Sequence, residues 1–405
     1  MIKKHLFFKN NIQKKYLNNN FLNKLFKKFK NIEFIINSDI ENRQKTLNVL
    51  DDQFKFNFKI KDLEKFKKFK TIALVGMGGS ILGAEAIHNF LEKKIKKKIY
   101  FFDNLDAKKI SLFKRKNNLN KVLFIIISKS GNTIETLSNT FLLNVIKKNS
   151  KNIILISEKK NNLLFTLSKK FNLFHIEHKN HIGGRYSVLS EVGIIPAYLM
   201  GINIFKLRSN IFKFLTHKDK TYLKDSAIKL ACILNAKKIK NLIYLNYAPE
   251  LDKFLFWCQQ LISESLGKKN KGFLPVISTM PKDHHSLLQL YLDGPKDKLF
   301  HIFSIEEKSK DKINISKIVN TNNFLNKKTL SSVKNAQKNA LIKSLKNKKI
   351  PFREYKIKSI NEEVLGKLFT FFMLETVLIG KLININPFDQ PAVEQVKLNT
   401  KKILN

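Results

Sequence analysis

The feature that most constrains the fold is a run of six apolar residues, 122–127, that leads directly into the polar loop SKSGNT at 128–133. Such a continuous apolar run is typical of a strand covered on both faces of a parallel sheet. The residues after the loop have a helical pattern, and free N–H groups at a helix N-terminus favour an anion. The hydroxyls of Ser128, Ser130 and Thr133 therefore predict a phosphate-binding cup, although an ordinary capped turn has the same local pattern. The loop matches neither GxxxxGK(S/T) nor GxGxxG, which argues against an NTPase or a dinucleotide enzyme.

The alternation of strand and helix patterns along the chain predicts an α/β fold. Strands are predicted at 71–75, 99–103, 122–127, 153–156, 173–176, 242–245, 273–277, 299–304 and 352–357. Helical patterns between them imply parallel sheets covered on both faces, in two successive units with a ligand-binding cleft between them. The predicted parts are a helical N-terminal segment at 1–65, a first domain at 66–210, a second at 211–385 and a C-terminal helix at 386–405.

The net charge of +44 suggests nucleic-acid binding, but the kind and distribution of the cations argue against it. Of the 76 Lys and Arg residues only five are Arg, and the lysines are spread along a chain that is also rich in Asn, Ile and Phe. A nucleic-acid binder is expected to use more Arg for bidentate contacts. We therefore expect no specific nucleic-acid partner, only salt-sensitive binding to polyanions.

Cysteine usage and the N-terminus predict a cytoplasmic protein. Cys232 and Cys258 lie in apolar helical patterns, as reduced core thiols do. The N-terminus lacks the apolar segment and the cleavage site of a secretory signal. The chain has no apolar run of about 18 residues, so we expect no membrane partner.

Two glycine-containing loops supply further candidate residues. The first, at 75–83, follows a predicted strand, and its glycines allow a ligand to approach the backbone, although such turns are common. Gly79 and Ser80 are the candidates in that loop. In the second loop, two glycines precede Arg185, whose guanidinium is suited to stabilising negative charge on oxygen. An Arg that forms a salt bridge at a domain edge has the same pattern.

The predicted helix before Gly267 has two faces. Trp257, Gln260 and Glu264 share a side at spacings i, i+3 and i+7, opposite an apolar stripe. Glu264 lies near the negative end of the helix dipole, which disfavours its anion. This position favours a general base, and the alternative is a solvated surface acid paired with Lys268.

The adjacent residues His284 and His285 suggest a metal, but neighbouring positions on a helix point in different directions. No carboxylate or His at i+3 or i+4 completes a site, so we expect no metal. A general acid or base is the better functional interpretation, and a capping or hydrogen-bonded pair is the alternative. Three further histidines around 175–181 are expected to be structural.

Six segments of the chain resemble the glucose-6-phosphate isomerase family. They are VGMGGSILG at 75–83, ISKSGNTIET at 127–136, GGRYSVLSEVG at 183–193, WCQQLISESLGKKNKGFLP at 257–275, KDHHSLLQLYLDGP at 282–295 and NPFDQPAVEQVKLNTKKIL at 386–404. They follow the family's order and cover the chain from about 70 to its end. GGRYS and PFDQPAVEQVK are specific to this family, whereas the SGNT loop is shared by sugar-isomerase (SIS) domains.

The resemblance implies two SIS-type αβα three-layer domains, a homodimer, and interconversion of glucose 6-phosphate and fructose 6-phosphate with no cofactor. By position, Glu264 resembles the base that moves a proton between C2 and C1 through a cis-enediol, and Arg185 resembles the cation that faces the enediolate. His285 resembles the ring-opening acid/base, reaching into the neighbouring subunit's site, and Lys397 assists near the ring oxygen. The implied substrate- and phosphate-binding residues are Gly79, Ser80, Ser128, Lys129, Ser130, Thr133 and Gln260.

Two other functions stay open at this point. The segment SGNTIET is similar to the dual-specificity phosphoglucose/phosphomannose isomerase branch, whereas Gln260 and the DHHS segment resemble conventional members. A non-catalytic SIS protein that senses sugar phosphates is the second alternative, although residues 1–65 contain no convincing helix-turn-helix.

Overall fold

Two five-stranded sheets organise the chain in the computed structural model, which describes residues 6–211, 219–307, 309–315 and 323–404. Each strand predicted from the sequence is present, within two residues of its predicted ends. The strands are β1 (Leu6–Asn11), β2 (Thr71–Val75), β3 (Lys98–Phe102), β4 (Val122–Ile127), β5 (Ile153–Ser157), β6 (Phe174–Glu177), β7 (Asn241–Asn246), β8 (Leu274–Thr279), β9 (Lys298–Ile305) and β10 (Phe352–Ile357). The α-helices in the described ranges are α1 (Asn19–Glu41), α2 (Ile60–Leu63), α3 (Leu82–Phe90), α4 (Ala107–Lys116), α5 (Ile134–Leu143), α6 (Leu163–Lys170), α7 (Glu191–Met200), α8 (Ile204–Arg208), α9 (Asp219–Ala236), α10 (Asp252–Leu266), α11 (Leu288–Asp293), α12 (Leu330–Asn347), α13 (Glu362–Leu382) and α14 (Ala392–Leu404).

The two sheets share one strand order. The first is β3-β2-β4-β5-β6, and all its pairings are parallel. The second is β8-β7-β9-β10-β1, in which the first four strands are parallel and β1 pairs antiparallel with β10. Four positions therefore match between the sheets, and the fifth is a parallel strand in one and an antiparallel strand in the other. The predicted α/β fold with parallel sheets is confirmed, and the domain boundaries stay a prediction.

The N-terminal segment differs from the expected helical segment at 1–65, because β1 is a strand of the second sheet. Its sequence LFFKNN is short and half polar. The ring of Phe8 lies 5.1 Å from that of Tyr355, its partner in register. This strand is stabilised by packing against residues at the far end of the chain, so its local sequence does not reveal it.

Alternate residues of β4 belong to two different apolar cores. Leu123 and Ile125 lie in a large central core, whereas Phe124 and Ile126 lie in an outer core formed with α4, α5 and α6. Every residue of β4 is buried. Its sequence is continuously apolar because helices cover both faces of the sheet.

The central core joins the two units. Helix α13 is buried along most of its length, and α10 packs between α13 and α3. Trp257 of α10 lies edge-on to Phe369 of α13, with 4.8 Å between the ring centroids. Helix α10 of the second unit therefore contacts the helix that follows the glycine loop of the first. Among the described helices, none has both the length and the apolar character needed to cross a bilayer.

The candidate loops leave the first sheet at its topological switch point. Strands β2 and β4 are paired neighbours, and the strands that follow each of them lie on opposite sides. Ligands bind at such points, beyond the carboxyl ends of the strands. The glycine loop after β2 and the polar loop after β4 start side by side there.

Candidate active site

Arg185 lies at the centre of the candidate site. It belongs to a 3-10 turn, Gly184–Leu189, and only 2% of its surface is exposed. Its Nε donates to Ser265 Oγ at 2.8 Å. One terminal nitrogen, Nη1, donates to Glu264 Oε2 at 3.0 Å and to Gln390 Oε1 at 2.7 Å. A cation buried in this way is held by charge-assisted hydrogen bonds.

The same guanidinium anchors the C-terminal segment. Its second terminal nitrogen, Nη2, donates to the backbone carbonyls of Pro387 and Asp389 at 2.7 and 3.0 Å. All five guanidinium N–H groups therefore have an acceptor. Lys268 adds an ion pair of 2.6 Å to the Asp389 carboxylate. These contacts fix the residues that lead into α14.

Glu264 lies between two hydrogen-bond donors. Its Oε1 accepts from Gln260 Nε2 at 2.9 Å, and its Oε2 accepts from Arg185. The side chain is 31% exposed and lines an open cavity of about 1330 Å³. A carboxylate that is oriented from two sides and open on the third has the geometry of a general base. Three predicted site residues are thus linked by direct hydrogen bonds, with Glu264 between Arg185 and Gln260.

The helical spacing of α10 accounts for this contact. Trp257, Gln260 and Glu264 lie on one side of the helix, as their spacing predicts. Trp257 is itself buried, and its indole nitrogen donates to the Arg185 carbonyl at 3.2 Å. The helix ends at Leu266, directly after Glu264 and Ser265.

The glycine loop packs against both of these elements. Gly78 has φ +52°, and a Cβ there would lie 2.8 Å from the Gln260 side-chain nitrogen. A Cβ on Gly79 would lie 2.2 Å from the backbone of Gly184. Ser80 ends the short turn Gly78–Ser80 and is partly buried. Glycines are therefore required here by packing within the chain, and contact of Gly79 and Ser80 with a ligand stays a prediction.

The polar loop after β4 leads directly into the N-terminus of α5, and its role as a phosphate-binding cup stays a prediction. Ser128 Oγ and Thr133 Oγ1 are 2.8 Å apart, and Thr133 is the N-cap residue of α5. Ser130 is exposed, and its Oγ accepts from the Asn132 backbone N–H at 3.3 Å. Gly131 has φ +68°, a left-handed conformation that favours glycine. Three hydroxyls and the first turn of α5 thus lie together.

Lys129 connects this loop to the segment that precedes Arg185. Its ammonium donates to the carbonyl of Asn180 at 2.7 Å and lies 3.8 Å from the Glu158 carboxylate. Burial lowers the pKa of Lys129, the nearby Glu158 charge opposes that shift, and Lys160 adds to it. Lys129 is therefore held against residues only a few positions before the catalytic candidate Arg185.

The two adjacent histidines have different surroundings. His284 is partly buried, and its Nε2 lies 2.8 Å from the Tyr247 hydroxyl. Burial lowers the pKa of His284, and the charge of His285 lowers it further. His285 is exposed at the end of the 3-10 turn Lys282–His285. The described ranges contain no group of three or more His, Cys, Asp or Glu arranged to hold a metal.

Lys397 lies on α14, whose side chains are all partly or fully exposed in the single chain. Its ammonium pairs with Glu394 Oε1 at 2.7 Å. Within the described part of the chain, no hydrogen bond or ion pair joins His285 or Lys397 to Arg185 or Glu264. The single chain therefore assembles the Arg185–Glu264–Gln260 group and leaves the other two catalytic candidates at its surface.

Comparison with known sequences assigns the chain to a family. A sequence profile of the family described as phosphoglucose isomerase matches residues 49–405. The chain belongs to the phosphoglucose isomerase family. It is 33% identical over 386 residues to a probable glucose-6-phosphate isomerase from Methanococcus maripaludis, covering 90% of this chain and 85% of the relative. It is 32% identical to a glucose-6-phosphate isomerase from Campylobacter jejuni, covering 89% of this chain and 90% of that one.

The fold of this phosphoglucose isomerase family member also has a solved counterpart. A crystal structure of a glucose-6-phosphate isomerase from Chlamydia trachomatis superposes with a TM-score of 0.78 at 17% identity. The alignment covers 99% of this chain and 88% of that chain. The predicted SIS-type architecture of two α/β units is thereby confirmed.

Sequence reasoning missed three side chains that hold the site of this isomerase together. Ser265 and Gln390 accept hydrogen bonds from Arg185, and Tyr186 bonds both Ser265 and the Pro387 carbonyl. Ser265 and Tyr186 each directly adjoin a predicted catalytic residue in the chain, which was the available signal. The signal for Gln390 was its place in the segment PFDQPAVEQVK, but it was interpreted only as the residue before a helix start at Pro391.

Proposed function

We propose that this chain interconverts glucose 6-phosphate and fructose 6-phosphate, with Glu264 as the base that moves a proton between C2 and C1 of the open-chain sugar. The observation that carries this proposal is the carboxylate of Glu264, oriented by Gln260 and Arg185 and open to the cavity. Aldose–ketose isomerisation requires such a base, because the proton removed from one carbon is returned to its neighbour through a cis-enediol.

Arg185 supports this chemistry through its fixed charge. As the sugar loses its proton, negative charge develops on the enediolate oxygen, and a preorganised cation nearby stabilises it without reorganising. The five hydrogen bonds of Arg185 and its burial keep that charge in one place. The phosphate of the substrate is assigned to Ser128, Lys129, Ser130 and Thr133 at the start of α5, where hydroxyls and free N–H groups favour an anion.

Ring opening is assigned to His285 and Lys397. Val393 at the base of α14 lines the cavity that contains Glu264. Lys397 is one helical turn beyond Val393, so the two lie on the same side of α14. This placement supports a role for Lys397 at the cavity rim, near the sugar ring oxygen.

The substitution Glu264→Gln tests the base. It keeps the size of the side chain and one of its two acceptor oxygens but cannot accept the proton, so we expect turnover to fall by about 10²–10⁴ while fructose 6-phosphate still binds. Glucose 6-phosphate formed from fructose 6-phosphate is measured in a coupled assay containing EDTA. Glu41→Gln, at the exposed end of α1, is the matched control. Near-normal turnover of Glu264→Gln would reject the assignment.

We also propose a homodimer in which His285 acts in the partner's site. Support comes from two exposed features of the single chain: the imidazole of His285 and the apolar side chains of α14. Val396 is 66% exposed and Ile403 is 83% exposed. Side chains of this kind on a helix without buried residues are typical of a surface that a second copy covers.

Mixing two inactive variants tests this arrangement. In a dimer of Glu264→Gln with His285→Ala, one site receives both intact residues if His285 crosses the interface. Random subunit exchange at equal amounts should then restore about a quarter of the wild-type activity. If His285 acts within its own chain, mixing restores nothing. A monomer by light scattering would also reject the proposal.

Glucose 6-phosphate rather than mannose 6-phosphate is proposed as the main substrate. Gly131 and Asn132 are the residues similar to the dual-specificity branch, and both contact the N-terminus of α6. Because Gly131 and Asn132 both pack against α6, their identity has a structural explanation that does not require mannose 6-phosphate as the main substrate. Comparing rates on the two sugar phosphates tests the choice.

We propose that the enzyme works in the cytoplasm. Cys232 and Cys258 are buried free thiols. Unpaired buried cysteines are usual in a reducing compartment. If the isolated protein is denatured in an alkylating reagent, an alkylated mass for both cysteines would support this location, and a disulfide or a further oxidised form would contradict it.

A further inference from the structure

Two buried hydroxyls lie directly behind Arg185. Tyr186 and Ser265 are both fully buried, and each adjoins a catalytic candidate in the chain. The Tyr186 hydroxyl is 2.9 Å from Ser265 Oγ and 2.9 Å from the Pro387 carbonyl oxygen. Ser265 Oγ in turn accepts from Arg185 Nε at 2.8 Å.

The direction of this hydrogen-bond chain follows from its two ends. A carbonyl only accepts, so Tyr186 donates its one hydroxyl proton to Pro387. Ser265 must then donate to the Tyr186 oxygen, since that oxygen has no second proton. A guanidinium only donates, so Arg185 Nε donates to Ser265. Burial raises the pKa of Tyr186, which keeps the hydroxyl protonated and the direction unchanged.

We propose that Ser265 and Tyr186 are positioning residues that fix the rotation of the Arg185 guanidinium and so hold its Nη1 group on Glu264 during proton transfer. This inference rests on the proposed function of Glu264 as the base. The chain closes into a ring, because Arg185 Nη2 also donates to the Pro387 carbonyl. The guanidinium is planar, so fixing Nε and Nη2 also fixes the direction of Nη1.

The substitution Tyr186→Phe removes one oxygen atom and leaves the ring of the side chain in place. Ser265 then loses the acceptor that orients its hydroxyl, so the oxygen that accepts from Arg185 Nε is held less firmly, while the five hydrogen bonds of Arg185 itself remain. We expect kcat to fall about three- to tenfold, which is the range of one hydrogen bond, with KM within about twofold. Proton abstraction becomes slower relative to the other steps. The primary isotope effect on kcat with glucose 6-phosphate deuterated at C2 should therefore exceed that of the wild type.

Tyr244→Phe is the matched control, since Tyr244 is equally buried on β7 and its hydroxyl has no hydrogen-bond partner within the described residues. It should leave kcat and the isotope effect unchanged. A second pair repeats the test at Ser265. Ser265→Ala should behave like Tyr186→Phe, and Ser265→Thr, which keeps the hydroxyl, should recover most of the lost kcat.

An isotope effect in Tyr186→Phe equal to or below that of the wild type would overturn the inference, whatever happens to kcat. If Tyr186→Phe does not fold, equal losses of kcat in Ser265→Ala and Ser265→Thr would overturn the inference. An inactive wild type, or an active Glu264→Gln, would instead reject the proposed function. The two failures are therefore distinguishable.

Discussion

Replacing Arg185 by lysine should separate the C-terminal segment from the site and destabilise the whole chain. The guanidinium makes five hydrogen bonds from a buried position, to Ser265, Glu264, Gln390 and the carbonyls of Pro387 and Asp389. An ammonium has three donors, so at least two acceptors lose their partner. At about 1.5–3 kcal/mol for each charge-assisted bond, the free energy of unfolding should fall by roughly 3–6 kcal/mol.

Urea unfolding followed by Trp257 fluorescence measures this loss. Trp257 is the one tryptophan of the chain, and its indole donates to the Arg185 carbonyl, so it reports on the same site. Arg115→Lys, an exposed change on α4, is the control and should alter the free energy of unfolding by less than about 0.5 kcal/mol. A loss below about 1 kcal/mol for Arg185→Lys would refute the interpretation that Arg185 holds the C-terminal segment and α10 together through five simultaneous hydrogen bonds.

Two further predictions concern the first domain. Gly131→Ala should lower the free energy of unfolding and raise KM for fructose 6-phosphate, because φ is +68° and the new Cβ would lie 1.7 Å from Asn162 Oδ1; urea unfolding and the coupled assay measure both effects. The free energy of unfolding should also decrease as pH falls from about 6.5 to about 4, because burial lowers the pKa of His178 to about 4. The unfolded chain then binds the proton more readily, and His178 contributes roughly 3 kcal/mol to the loss across this range. Burial lowers the pKa of His175 to about 4 as well, so His178→Gln should reduce the slope without abolishing it, measured by urea unfolding at successive pH values.

Each of these predictions has a matched control. Gly201 has φ +94° but open space around its added Cβ, so Gly201→Ala should show backbone strain without a rise in KM. Equal effects at the two glycines would contradict the clash with Asn162. His285→Gln changes an exposed imidazole and should alter the pH dependence of stability much less than His178→Gln does. An unchanged slope in His178→Gln would contradict the assignment to His178.

The strands were predictable because their environment is simple. Every residue of β4 is buried between helices, so its sequence is apolar without interruption, and its predicted ends match the observed ones. Helix α10 was equally clear, since its buried and site-facing residues alternate with a helical period. β1 was missed, because half of its six residues are polar and its stability comes from pairing with β10.

The sequence by itself determined the candidate groups and their local settings: hydroxyls after a buried strand, a carboxylate near a helix end, and an Arg after two glycines. These properties could be predicted because they depend on residues only a few positions away in the sequence. Only the tertiary structure decided that Arg185 and Glu264 form one unit, since they come from different α/β units and meet through the packing of α10 on the first. The partners of Arg185 at Ser265, Pro387 and Gln390 were likewise decided there. A buried guanidinium takes whichever acceptors the packed fold brings within reach, and distance along the chain carries no information about them.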